Sequence, residues 1–266
     1  MKRLKPYLAM RSVDDLWRHH ARVMASYGFD RLFYAYTCFR RAGTFGDPQD
    51  ALVLTNHDPA YVEAYVNKGL FRAGPLMNWA NENTGAISWR SVRDELKTRR
   101  LTEAERMVQA LNARYGLTAG YTISFPMAMR YASAGIGLTA QAGLTQQDVE
   151  AVWAVSGEEI EVLNHIAHLC ITQLPATGQS RVLTPRQIEV LELVADGKTI
   201  QDIAFILERN AATVEKHLRG ARDTLGVDTT AQAVRKASVL NQIFRLDTGN
   251  IDRTAPIGRQ PIRTAG

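Results

Sequence analysis

Lys216, Arg219 and Arg222 recur every three residues and Glu215 precedes them, so on a helix their side chains share one side. At about 100° per residue, Ala212, Glu215, Lys216, Arg219, Arg222 and Asp223 fall in one sector and Val214, Leu218, Ala221 and Leu225 in the opposite one. Ammonium and guanidinium groups on such a face meet acceptors on guanine edges and phosphates, and Ala212 leaves room for close approach. The chemistry indicated is recognition of a polyanion. Any surface helix can carry charges, so the preceding elements decide the matter. Thr184-Pro185-Arg186-Gln187 is a capping box with proline at the first helical position, opening a helix on Ile188, Leu191, Val194 and Ala195 that ends near Asp196, before Gly197. Thr199 caps a second helix, with Asp202 in its first turn and Ile203, Ala204 and Leu207 on its buried side. Glu208-Arg209-Asn210 forms the turn, and Asn210 caps the third helix, Ala211 to about Leu225, which Gly226 closes. Two short helices, a tight turn and a two-faced third helix read as a DNA-binding helix-turn-helix.

Leu183-Thr184-Pro185-Arg186, Gly197-Lys198-Thr199, Asp202-Ile203-Ala204, Thr213-Val214, His217 and Gln232-Ala233-Val234 together resemble the C-terminal domain of LuxR-type transcription regulators. The resemblance implies a four-helix domain that puts its third helix in the major groove. The fourth helix, about Ala231 to Phe244 after a Thr230 cap, would help dimerise the protein on symmetric half-sites. Carried over position by position, the base-contacting residues are Glu215, Lys216 and Arg219, with Thr213 and Arg222 on the backbone. Gln187 stands where the family usually has Glu, keeping the cap and losing the charge. His217 flanks the apolar sector and reads as a structural histidine.

With 266 residues and 45% hydrophobic content the chain can build two cores. The net charge of +5 favours polyanionic partners only weakly, since the excess is spread along the chain. Cys38 and Cys170 are distant from each other and have no second pair, so free thiols and no metal site are expected. No apolar run approaches the roughly 18 residues a membrane span needs, so a cytoplasmic protein without membrane contact is expected. A phosphate loop, a Gly-x-Ser-x-Gly elbow and a His-Glu-x-x-His motif are all missing, which argues against an enzyme. His19 and His20 point about 100° apart on a helix and are expected at a surface or interface. Asp14-Asp15 opens a helix and precedes any strand, which argues against a phosphorylated receiver domain. An architectural DNA-binding protein would not need the long segment ahead of its reader.

That segment alternates helices and strands. Ser12 with Asp15 caps a helix to about Gly28. Arg31 to Phe39, Ala51 to Thr55, Ala119 to Pro126 and Ala134 to Ala140 read as strands. Pro59 opens a helix to about Gly69, Thr102 and Glu105 cap one that ends near Tyr115-Gly116, and Thr145 and Asp148 open a long terminal helix. The expected fold is α+β: an N-terminal α/β/α sandwich on a central antiparallel sheet, then the all-α four-helix domain. Expected boundaries are 1–174 for sensing and dimerisation, 175–182 for a linker, 183–246 for DNA binding and 247–266 for a tail.

In LuxR-type regulators the first domain often binds an acyl-homoserine lactone between the sheet and a helical layer. The resemblance puts Tyr61 at a tryptophan that donates to the lactone carbonyl, Tyr65 at a tyrosine four residues on, and Pro75 at a proline. It puts Trp89 at a wall aromatic, Gly120 at a glycine near the acyl path, and His57 where some members have tyrosine. Gly74 replaces an aspartate that accepts from the ligand amide, so a standard lactone is expected to bind more weakly by about 1–3 kcal/mol, and Gly74→Asp to raise affinity. The aromatics at helical spacing would also suit a plain core. The function implied is a homodimeric, ligand-responsive regulator with no cofactor besides an acyl-homoserine lactone or another small apolar ligand. Its partners would be double-stranded DNA and RNA polymerase. The alternative is a ligand-independent regulator whose first domain only dimerises.

Overall fold

The computed structural model describes residues 3–40, 45–46, 50–174 and 182–244. The expected tail, and the expected linker apart from residue 182, lie outside the described residues. The chain divides into two compact units that meet in sequence at Leu183 and Thr184.

The first unit opens with α1 (Lys5–Ala9) and α2 (Val13–Ala25), where the Ser12 side chain caps the Asp15 amide. Strands β1 (Phe29–Thr37) and β2 (Ala51–Thr55) follow, then α3 (Pro59–Val62), which widens into a π-helical turn over Glu63–Asn67. Next come α4 (Pro75–Glu82), β3 (Gly85–Ser88), α5 (Trp89–Lys97), α6 (Glu103–Arg114), β4 (Gly120–Ser124), β5 (Ser133–Ala140) and the long α7 (Gln146–Gln173). The described strands form one sheet in the order β2-β1-β5-β4-β3, antiparallel throughout. Side chains alternate across it. Leu32, Tyr34, Ile136 and Leu138 pack on one face with Leu16 and Met24 of α2 and Ile160 and Leu163 of α7. Phe33 and Ala35 face the opposite way, toward Tyr61, Tyr65, Phe71 and Val108. This is the expected α/β/α sandwich.

Four elements were not anticipated: α1, α4, β3 and α5. Gly-Ala-Ile-Ser in β3 is too short to display alternation, and its pairing to β4 from Gly85↔Ser124 to Ser88↔Tyr121 makes it a strand. His20, expected at a surface or interface, is buried within the first unit: its ring bonds Tyr7 Oη at 2.8 Å and Asn164 Oδ1 at 3.0 Å. The α2 face that carries it turns onto α7, a long-range contact that helical spacing alone does not reveal.

The second unit contains α8 (Pro185–Ala195), α9 (Ile200–Ile206), α10 (Ala211–Leu225) and α11 (Thr230–Val239). Capping boxes at Thr184/Gln187 and Thr199/Asp202 open α8 and α9 as expected. On α8, the expected Leu191 is buried together with Val190, while Ile188 and Val194 are half-buried and Ala195 is exposed. The fourth helix starts and stops earlier than expected. Its cap is Thr229, whose side chain accepts from the Gln232 amide while Gln232 reaches back to Thr229, and it ends at Val239, well before Phe244. No helix among the described residues is long and apolar enough to cross a membrane, and none of their His, Cys, Asp and Glu side chains cluster as a metal site.

Candidate nucleic-acid helix and candidate ligand cavity

The start of α10 is fixed by Asn210, whose Oδ1 accepts from the Thr213 amide at 2.8 Å and the Thr213 hydroxyl at 2.9 Å. Ahead of it Glu208 adopts a left-handed φ of 52°, which turns the chain sharply after α9. Val214, Leu218, Ala221 and Leu225 are buried, as the face analysis requires. Glu215, Lys216 and Arg219 are exposed, and their charges have no hydrogen bond or ion pair within the described residues. Thr213 is half-buried with its hydroxyl turned to the cap. Arg222 is held back: its Nη1 donates to Thr230 Oγ1 at 2.9 Å, which ties α10 to the start of α11. His217 is half-buried on the helix flank.

The helical layer leaves a cavity against the sheet, with an inner chamber of about 80 Å³. Gly137 of β5 points into it, and a Cβ built there would meet nothing closer than 3.9 Å. His57, Tyr61, Tyr65 and Trp89 line this chamber. Gly74 lies outside it, on a larger chamber of about 580 Å³ between α5 and α6. Tyr65, Leu76, Trp89, Asn112 and Leu117 border both chambers. Pro75 borders the larger one. Gly120 lines neither. It packs behind the Trp89 ring, where a Cβ would stand 2.9 Å from that ring and collide with the Leu138 carbonyl.

The polar groups of the inner chamber are largely paired. The Tyr61 hydroxyl donates to Asn112 Oδ1 at 3.1 Å, Trp89 Nε1 to Thr122 Oγ1 at 2.9 Å, and Ser133 Oγ to Asn81 Oδ1 at 3.1 Å. Tyr61, which the resemblance puts at a lactone donor, thus directs its hydroxyl hydrogen to α6. Asn81, Asn112, Thr122 and Ser133 escaped the sequence reading. Single polar residues in amphipathic stretches carry no local signal, and only packing brings them together.

Burial, reinforced by the nearby Arg31 guanidinium, lowers the His57 pKa to about 4, so its imidazole is uncharged at neutral pH. Burial also raises the Tyr61 and Tyr65 phenols above their ordinary range, so both keep their protons. Gly74 differs most from expectation. A Cβ there would lie 2.5 Å from Tyr65 Oη and 3.1 Å from the Phe71 carbonyl. A side chain at Gly74 therefore shares its space with the Tyr65 hydroxyl, which must give way to it.

Residues 12–171 match the family described as the autoinducer binding domain, and residues 181–237 match bacterial regulatory proteins of the luxR family. The chain is 23% identical over 236 residues to the transcriptional activator ExpR of Dickeya dadantii, covering 84% of this chain and 88% of that protein. It is 29% identical over 188 residues to the activator AhyR of Aeromonas hydrophila, covering 70% and 71%. With the quorum sensing-dependent regulator RpaR of Rhodopseudomonas palustris it shares 28% over 224 residues, covering 83% and 85%. A crystal structure of Escherichia coli SdiA superposes with a TM-score of 0.50 at 17% identity, covering 91% of this chain and 96% of that one, a likeness of fold.

Proposed function

Because this chain belongs to the luxR family of bacterial transcriptional regulators, with an autoinducer-binding domain ahead of its helix-turn-helix, we propose that it acts as a ligand-responsive homodimer on a two-fold symmetric operator. The observation that carries this reading is the exposed set Glu215, Lys216 and Arg219, unpaired among the described residues, on a capped helix whose other face is buried. In this reading those three residues touch base edges and Thr213 touches the backbone. Arg222 turns from Thr230 to a neighbouring phosphate, and His57, Tyr61, Tyr65, Gly74 and Trp89 surround the ligand with Gly120 seating Trp89. The working division is 1–174 for sensing and dimerisation, 175–182 for the linker, 183–246 for DNA binding and 247–266 for the tail. The protein has no catalytic role and works in the cytoplasm, with RNA polymerase as its downstream partner.

Dimerisation is supported by α7, on which Val155, Val162 and Leu169 recur every seven residues and stay 88%, 47% and 61% exposed. A seven-residue apolar row on a helix of 28 residues suits self-pairing about a two-fold axis. The ligand is a small apolar molecule, with acyl-homoserine lactones the class to try first. Selection of bound sequences from a randomised duplex pool, with and without a lactone panel, tests the proposal. Enriched inverted half-sites spaced by about one DNA turn support it. Asymmetric or absent enrichment counts against it. Thermal unfolding tests the ligand directly, since ligand at about 100 times its Kd stabilises by roughly 2.7 kcal/mol.

A further inference from the structure

Two helices frame the larger chamber and give it two different surfaces. On α5, Trp89, Val92 and Leu96 share a face by their spacing and are buried, while Arg93 and Lys97, one position further round, are exposed. Val108 of α6 adds to the buried apolar floor, and Arg99, from the connection between α5 and α6, joins the exposed rim. The chamber thus reaches the surface past three cationic side chains, and the described residues that line it include no Asp or Glu.

The three cations are not equivalent. Lys97 Nζ lies 2.7 Å from Asp94 Oδ1, and Arg99 makes two bonds to the Glu105 carboxylate, at 3.0 and 2.5 Å. Arg93 has no carboxylate partner among the described residues: its Nη1 donates to the Thr118 carbonyl at 2.6 Å and its Nη2 to Gln146 Oε1 at 3.4 Å, both neutral oxygens. These bonds hold the guanidinium at the rim, and the rest of its fork can meet an acceptor. A carboxylate is the acceptor that matches such a fork in charge and shape. A charged head has no place further in, because the described residues that line the inner chamber include no Asp, Glu, Lys or Arg, and an ion moved there would lose its water with nothing to compensate it. Apolar floor, cationic rim and uncharged interior together orient an amphiphile with hydrocarbon inward and anion outward.

Resting on the reading of this cavity as the ligand site, we propose that it binds acyl chains that end in a carboxylate, with the chain on the floor of the larger chamber and the carboxylate on Arg93. Such an anion has two sources, a free fatty acid and the open acid formed when water adds across the ring ester of an acyl-homoserine lactone.

The test is calorimetric titration of the full chain with two pairs of probes, octanoate against methyl octanoate and N-octanoyl-homoserine against its lactone. Within each pair the acyl chain is kept and the charged end is removed. The expected result is that at least one acid binds about fivefold or more tighter than its neutral counterpart at about 50 mM NaCl, and that the preference narrows at about 500 mM, where charges are screened over a shorter distance. The acid bound more tightly identifies the source. Arg93→Gln is expected to remove the preference while leaving the neutral probes within about twofold, and Lys97→Gln, which deletes a charge that Asp94 already answers, to keep it. Neutral probes bound as tightly as both acids or more so, or a folded Arg93→Gln variant that keeps the preference, overturn the proposal and leave the cavity a ligand site. Failure of all four probes to bind overturns the cavity reading and the proposal together. Arg93→Gln also releases Thr118 and Gln146, so its melting is compared with that of the parent chain. Where that variant does not fold, the salt series decides, since a preference that does not narrow with salt overturns the proposal.

Discussion

Arg219 and Arg222 lie three residues apart and carry the same charge, yet their surroundings differ. Arg219 is exposed and unpaired within the described residues, whereas Arg222 is half-buried and already donates to Thr230. Arg219→Ala should therefore cost about 1–3 kcal/mol and relax preference at one base position, read by binding to an operator and its single-base variants. Arg222→Ala should weaken all sequences alike and also loosen the start of α11. An Arg219→Ala loss that is uniform across sequences would reassign Arg219 to the phosphates. Near the sheet, Asn164 holds His20 through Oδ1 while its Nδ2 reaches the Ile160 carbonyl at 2.8 Å. Asn164→Leu strands the buried imidazole and should cost about 1–3 kcal/mol, measured by urea unfolding.

At the scale of elements, side chains that satisfy backbone amides set most helix starts. Thr102 with Glu105 and Thr145 with Asp148 form complete capping boxes, so Thr145→Ala should cost about 1 kcal/mol and fray the N-terminus of α7. That end matters because Gln146, the first residue of α7, clamps Gly120 of β4 by accepting from its amide and donating to its carbonyl, both at 3.0 Å. The turn between α9 and α10 uses a non-glycine residue, Glu208, at positive φ. Glu208→Gly relieves that conformation and should raise stability by about 0.5–1 kcal/mol in urea unfolding without altering DNA specificity, since the residue lies outside the reading face.

For the whole molecule, three buried histidines link folding to pH. Burial lowers the pKa of His20, His57 and His168 to about 4 each, while in the unfolded chain they return to about 6.5. The unfolded state then binds more protons between those values, so stability is full above about pH 6.5 and is lost as pH falls toward 4. The slope is on the order of 1 kcal/mol per pH unit for each histidine. Urea unfolding at intervals from pH 7.5 to 5 should show this decline, and His168→Gln should flatten it. A flat profile in the parent chain would contradict the burial. Oligomeric state is the second property at this scale. If the proposed pairing through α7 holds, Val162→Glu with Leu169→Glu shifts the protein from dimer to monomer by sedimentation and weakens operator binding, while leaving the first unit's cavity intact.

The sequence by itself determined what depends on neighbours a few residues apart. Caps at Ser12, Thr102, Thr145, Thr184, Thr199 and Asn210 mark six helix starts, and the two faces of α10 follow from its periodicity. At the adjacent Thr229 and Thr230, local rules pointed to Thr230, whereas the packed geometry gives the cap to Thr229 and makes Thr230 the Arg222 partner. Only the tertiary structure decided matters that involve residues far apart in sequence. These include the burial of His20 against Asn164, the pairing of the short β3, and the bond from Tyr61 to Asn112. The meeting of Gly74 with the Tyr65 hydroxyl crosses just nine positions, yet it depends on the π turn and the path to α4. Alternation and capping are properties of one segment, whereas a cavity is a property of the gap between segments, and its shape exists only once they are packed.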